Sequence, residues 1–294
     1  MDSTQPARGS RLKFGLSLFT SDRGISPADA AKAAEDRGFD TFYVPEHTHI
    51  PVVRSSDHPA TGDETLPDDR YLRTLDPWVA LGTAAAVTTR IGLGTSVALP
   101  AAHDPIALAK TIATADHLCG GRIVFGVGYG WNLEELADHG VPANRRRTVL
   151  REYLEAMTAL WTQEEAAYEG TYVQFGASWA WPKPIQQPRP PILVGAGGTE
   201  KNFAWIVRSA DGWITTPIET NIDGGVEQLR EMWREAGRAG EPQVVVLAKD
   251  PDRETLAHWA DIGVTEVVYS LPDADTAEVR AFIERLGDRL ALPR

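Results

Sequence analysis

The sequence predicts a closed (β/α)8 TIM barrel with long insertions after the second and fourth strands, and three observations predict it. Short β-branched runs alternate with longer helical patterns. Eight such runs occur. Most are continuously apolar rather than alternating, which is how strands covered by helices on both faces read. The candidate strands cover residues 14–18, 41–44, 91–97, 123–127, 192–194, 212–216, 244–248 and 266–270. Eight strands with intervening helices suit a ring better than an open sheet, and such crossovers are right-handed by rule. The 294 residues exceed a usual domain but fit one barrel of this kind.

The helices carry explicit start signals. Ser26-Pro27, Asp76-Pro77, Asp104-Pro105 and Asp250-Pro251 each place a capping oxygen before a proline, which needs no donor at the first helical position. Gly38, Gly120-Gly121 and Gly263 are the matching left-handed stops. One insertion runs over residues 46–75. The other covers 129–191 and contains a helix over 145–161. Its end, residues 168–191, carries Trp179, Trp181 and five prolines from Pro182 to Pro191. It reads as an ordered, extended lid or packing segment. Residues 1–11 are polar and read as a disordered leader, leaving 12–294 as a single domain.

Composition narrows the function. Apolar residues make up 43% of the chain, and the formal charge is −12. That balance repels nucleic acid and anionic membrane and suits an enzyme of small molecules. Arg145-Arg146-Arg147 reads as a solvated helix face. Cys119 is the only cysteine and reads as buried packing, with no disulfide. No run approaches the roughly 18 apolar residues of a membrane span, and no secretory h-region opens the chain. A cytoplasmic enzyme is the expectation.

In a barrel the active site gathers at the C-terminal ends of the strands. Glu46-His47 follows the second strand, where a carboxylate beside an imidazole can handle a proton near neutrality. A helix-capping or carbonyl-bonded loop histidine is the bland alternative. His47, His49 and His58 also admit a metal reading, without helical pairing or cysteine support. Gly126-Val-Gly-Tyr-Gly130, with Gly128 at its centre and Trp131 after it, either lets something flat approach the backbone or makes a tight bend. Gly195-Ala-Gly197-Gly198-Thr199 opens a helix after the fifth strand, where bare N–H groups suit a phosphate. It is neither a dinucleotide fingerprint nor a P-loop. No Gly-x-Ser-x-Gly elbow supports a hydrolase.

Taken together, Leu12-Lys-Phe-Gly-Leu, Phe42-Tyr-Val-Pro-Glu-His47, Arg90-Ile-Gly-Leu-Gly-Thr-Ser-Val, Gly126-Val-Gly-Tyr-Gly-Trp131 with Glu134-Glu135, Pro191-Ile-Leu-Val-Gly-Ala-Gly-Gly198 and Ala210-Asp-Gly-Trp-Ile214 resemble the luciferase-like monooxygenase superfamily. The likeness is to its bacterial coenzyme F420-dependent branch. The resemblance implies an F420-dependent oxidoreductase that moves hydride to or from a small organic substrate. It implies that Glu46 and His47 are the acid and histidine ending the second strand, with His47 near the reactive carbon. It implies a non-prolyl cis peptide at Ser96–Val97 backing the flat ring, and phosphate-binding glycines at Gly197 and Gly198. A homodimer is implied as well. The glutamate that follows the strand-four glycines in the family's sugar-phosphate dehydrogenases is read against Trp131 here. Their basic phosphate residues have no match, so a sugar phosphate is not the expected substrate. Trp131 and Trp179 are read as covering the substrate. Two alternatives stand: an FMN-dependent monooxygenase supplied by a partner flavin or F420 reductase, and a non-catalytic flavin-binding homologue.

Overall fold

Eight parallel strands close into a ring in the computed structural model, which describes residues 11–293. The strands in chain order are β1 (Lys13–Ser17), β2 (Thr41–Val44), β3 (Gly92–Thr95), β4 (Ile123–Gly128), β5 (Ala166–Glu169), β6 (Gln174–Ser178), β7 (Ile192–Gly195), β8 (Gly212–Ile214), β9 (Gln243–Ala248) and β10 (Glu266–Ser270). The barrel runs β1, β2, β3, β4, β7, β8, β9, β10 and closes β10 onto β1. All eight expected strands are present. The third is shorter than expected, and the Ser96–Val97 peptide just beyond it is cis. The pair β5–β6 is an antiparallel hairpin inside the second insertion, where an irregular segment was expected. Of the expected leader, residues 1–10 lie outside the described residues, and Arg11 pairs with Asp40.

The helices are α1 (Pro27–Asp36), α2 (Pro77–Val87), α3 (Pro105–Leu118), α4 (Leu133–Asp138), α5 (Arg146–Thr162), α6 (Glu200–Ser209), α7 (Ile222–Glu235), α8 (Arg253–Ile262) and α9 (Thr276–Arg289). Ser26, Asp76 and Asp104 cap their helices by accepting the N–H three residues on, with proline next to each. The fourth start is displaced. Asp252, not Asp250, caps α8. The glycine stops are as expected, with Gly38, Gly120, Gly121 and Gly263 all at positive φ.

The barrel lumen is filled by Tyr43, Leu193, Ile214, Val245 and Val268, with Val97, Val124 and Leu247 against them. It is a packed core rather than a pore. At its N-terminal end Glu266 is buried, bonded to the Thr41 and Tyr43 hydroxyls. Burial pushes its carboxyl up to about 7. Outside the ring, buried Arg37 ties α1 to the chain's end, donating to Leu292 O at 2.8 Å and pairing with Asp288 at 2.6 Å. Cys119 is buried, as expected. Among the described residues no helix is long and apolar enough to cross a membrane.

Candidate active site at the C-terminal rim

The rim is assembled around Val97. The β2–β3 ladder continues past both strands, since Ser96 N–H donates to Val44 O and Glu46 N–H to Val97 O. The Val97 side chain then lies over β4 and β7. A Cβ on Gly128 would stand 2.6 Å from it, and one on Gly195 would stand 2.5 Å from it. Glycine is required at both positions by this close approach of Val97. Val97 therefore forms the floor of the rim. Ser96 Oγ, next to it in the chain, and Tyr129 Oη, whose ring packs against Trp205, are buried with no hydrogen-bond partner among the described residues.

The acid paired with His47 is not its neighbour Glu46. Because pairing persists to residue 46, successive side chains leave opposite faces of the chain. Glu46 turns toward β3, where its carboxylate accepts from Leu99 N–H at 2.6 Å and meets His103 Nε2 at 2.6 Å. That hydrogen bond holds the His103 pKa above its ordinary value, against the opposing effect of burial. The expectation that Glu46 tunes His47 is thereby corrected: Glu46 anchors the turn after β3.

His47 instead faces α4. Asn132 caps that short helix through Glu135 N–H, and the cap turns Glu135 inward. The Glu135 carboxylate is almost wholly buried. Its Oε2 lies 2.8 Å from His47 Nδ1, and its Oε1 accepts from Thr48 N–H at 2.8 Å and the Thr48 hydroxyl at 3.2 Å. On the other side of the ring the Trp131 indole N–H donates to His47 Nε2 at 3.3 Å. Both contacts assign one tautomer: Nδ1 carries the proton and Nε2 is the acceptor. Four rings, His47, His58, Tyr71 and Trp131, box this nitrogen, with centroids 4.7 to 6.4 Å apart. His58 accepts Ala60 N–H at Nδ1, so its Nε2–H donates to Tyr71 Oη at 2.9 Å. Burial pushes Tyr71 up to about 12 and lowers His58. Trp131 thus lies against His47 through its indole N–H.

The third part of the rim is the turn between β7 and α6. Thr199 is the N-cap of α6, accepting Asn202 N–H. Gly197 has open space, with only Glu219 Oε2 at 3.9 Å, while Gly198 N–H donates to that same carboxylate oxygen at 2.7 Å. Glu219, from the loop after β8, thus places a carboxylate oxygen on this turn.

Other expected contributors fall elsewhere. Trp179 lies largely exposed in a groove of about 390 Å³ between α3, α5 and the hairpin, with Ile106, Lys110 and Trp161. It packs outside the barrel rather than over the rim. His49 pairs with Asp138, so His47, His49 and His58 do not converge, and no metal cluster forms among the described residues. Arg147 is not simply solvated; its guanidinium stacks on Tyr129 at 4.3 Å. Glu135 entered only as part of a motif that carries the resemblance, and Tyr71 and Glu219 were not singled out by sequence, since their partners His58 and Gly198 lie 13 and 21 positions away.

A family model described as luciferase-like monooxygenase matches residues 26–250. The chain belongs to this family. It is 64% identical over 280 residues to the uncharacterized protein Rv0953c of Mycobacterium tuberculosis, covering 95% of this chain and 99% of that one. It is 31% identical over 253 residues to an F420-dependent glucose-6-phosphate dehydrogenase of Kineococcus radiotolerans, covering 81% and 69%. Among solved structures, the F420-dependent tetrahydromethanopterin reductase of Methanopyrus kandleri superposes with a TM-score of 0.73 at 19% identity, over 97% of this chain and 100% of that one. A type II Baeyer–Villiger monooxygenase of Pseudomonas putida in complex with FMN gives 0.70 at 15%, over 95% and 98%. These likenesses place the fold among luciferase-like barrels.

Proposed function

We propose that the chain is an oxidoreductase that moves hydride between coenzyme F420 and a small organic substrate. The observation that carries this reading is the continuity of the rim. His47, the Val97 floor and the anion-accepting turn are joined through Glu46 N–H, Gly128, Gly195 and Gly198 in one run of contacts. The F420-dependent relatives support the choice of cofactor. The Gly198 N–H would hold its phosphate, once Glu219 yields it, and Val97 would support the ring. When bound, the deazaflavin supplies the carbon that gives or takes hydride.

The chain's own part is orientation, dryness and the proton. Trp131, Tyr71 and His58 close one side of the rim to water. Glu135 fixes His47 with Nε2 free to accept a proton from a substrate hydroxyl, or to return one to a carbonyl, when the Trp131 N–H gives way. Titration of the chain with F420 and with FMN, read by fluorescence quenching, tests the proposal. Preferential F420 binding is the expected result. Tighter FMN binding would favour the flavin monooxygenase, and no binding of either would remove the cofactor reading.

A further inference from the structure

Behind His47, on the side away from the rim, the hydrogen bonds do not stop at Glu135. Thr48 Oγ1, which donates to Glu135 Oε1 at 3.2 Å, also lies 2.8 Å from His139 Nε2 and 3.0 Å from His49 Nδ1. His49 Nε2 in turn lies 3.0 Å from Asp138 Oδ2 at the exposed end of α4. The side chain of His47 is 8% exposed and that of Glu135 is 1% exposed, whereas His49 is 41% and Asp138 62% exposed. A buried imidazole is therefore connected, bond by bond, to surface groups.

We propose that Glu135, Thr48 and the His49–His139 pair form a proton relay that exchanges protons between His47 and solvent behind the rim. The proposal rests on the reading of His47 as the group that handles a proton. A ring and a substrate seated on the Val97 floor exclude water from the Nε2 side, so protons balanced at Nδ1 need another way out. The steps conserve charge and atoms. A proton gained at Nε2 is matched by one passed from Nδ1 to Glu135 Oε2. A turn of the carboxyl presents that proton to the Thr48 oxygen, whose own hydroxyl proton moves to His139 Nε2 or His49 Nδ1 and on to water. Imidazole suits the outer station, because its unperturbed titration range lies close to neutrality. The two outer rings are 5.5 Å apart, and His139 is held low, by burial first and by His49 next. Glu135, Thr48, His49 and His139 are positioning and relay residues; none touches the reacting atoms.

The test needs no substrate. In the full chain labelled with 15N-histidine, exchange of the His47 Nδ1–H with water is measured by NMR for the parent, Thr48→Val and Thr48→Ser. Thr48→Val keeps the side chain's shape and the backbone N–H bond to Glu135 while removing the hydroxyl. The expected result is exchange slowed by about tenfold or more in Thr48→Val, because a local opening must now precede it. Parent-like exchange is expected in Thr48→Ser, which restores the oxygen. Equal rates in parent and Thr48→Val would overturn the relay. F420 titration of the same samples separates the two ideas. Slowed exchange without cofactor binding would leave the relay standing and remove the functional reading.

Discussion

Two imidazole–carboxylate pairs flank the end of β2: His47 with Glu135 at 2.8 Å, and His103 with Glu46 at 2.6 Å. Their carboxylates are equally buried and their lengths nearly equal. They differ in what surrounds the rest of the imidazole. His47 turns Nε2 to Trp131 within the ring box, at the rim. His103 lies in the notch between the starts of α2 and α3, with Asp76, Trp78 and Asp104. On the proposed function, the environment of the free nitrogen is what sets the His47 pair apart from the His103 pair.

Variants can break or sharpen that contrast. The largest effect belongs to the rim pair. His47→Ala should lower hydride turnover, followed at the cofactor's absorbance, by about 100-fold or more, while F420 affinity stays within a few-fold. Unchanged turnover would make both pairs structural. A third buried acid sets the scale for carboxylates that lack an imidazole. Glu266 has only hydroxyl partners, and its folded pKa of about 7 lies above the ordinary 4.5. The folded state thus holds this proton more tightly than the unfolded chain. The resulting stability is fully present below about pH 4.5 and is lost as pH rises through about 7. Glu266→Gln should remove that loss, gaining on the order of 3 kcal/mol at pH 8 relative to pH 4. Melting temperatures at the two pH values would show it.

Glu46→Ala, next in size, leaves Leu99 N–H and His103 without their acceptor and should cost about 2 kcal/mol in chemical denaturation. A loss of turnover at full stability would instead return Glu46 to the chemistry. The smallest effect concerns the turn. Glu219→Gln replaces a charged acceptor with a neutral one and should strengthen inorganic phosphate binding a few-fold by calorimetry. Weaker binding would mean that Glu219 helps to build the anion site rather than filling it.

The same contrast explains what the sequence revealed. The ring was legible because most barrel strands are continuous apolar runs, and because Ser26, Asp76 and Asp104 announce their helices beside proline. The hairpin β5–β6 was not, since its residues are largely exposed and give no buried pattern. The position of His47 at a strand end was legible. Its partner was not, because adjacency favoured Glu46 while the fold brings Glu135 from 88 positions away. The sequence marked Gly128 and Gly195 but not how closely the Val97 side chain lies against both. Nothing local in either sequence segment mentions Val97.

The clasp between Arg37 and the segment from Asp288 to Leu292 also constrains how the molecule comes into being. During synthesis the guanidinium emerges about 250 residues before its acceptors, and β1 likewise waits for β10. Until then a nascent chain carries a cation with no burial site and an open sheet edge on each side of the gap, both inviting wrong partners. The barrel can thus close only after β10 has been made. Termination just short of Leu292 would leave Arg37 its Asp288 partner but take away the Leu292 carbonyl.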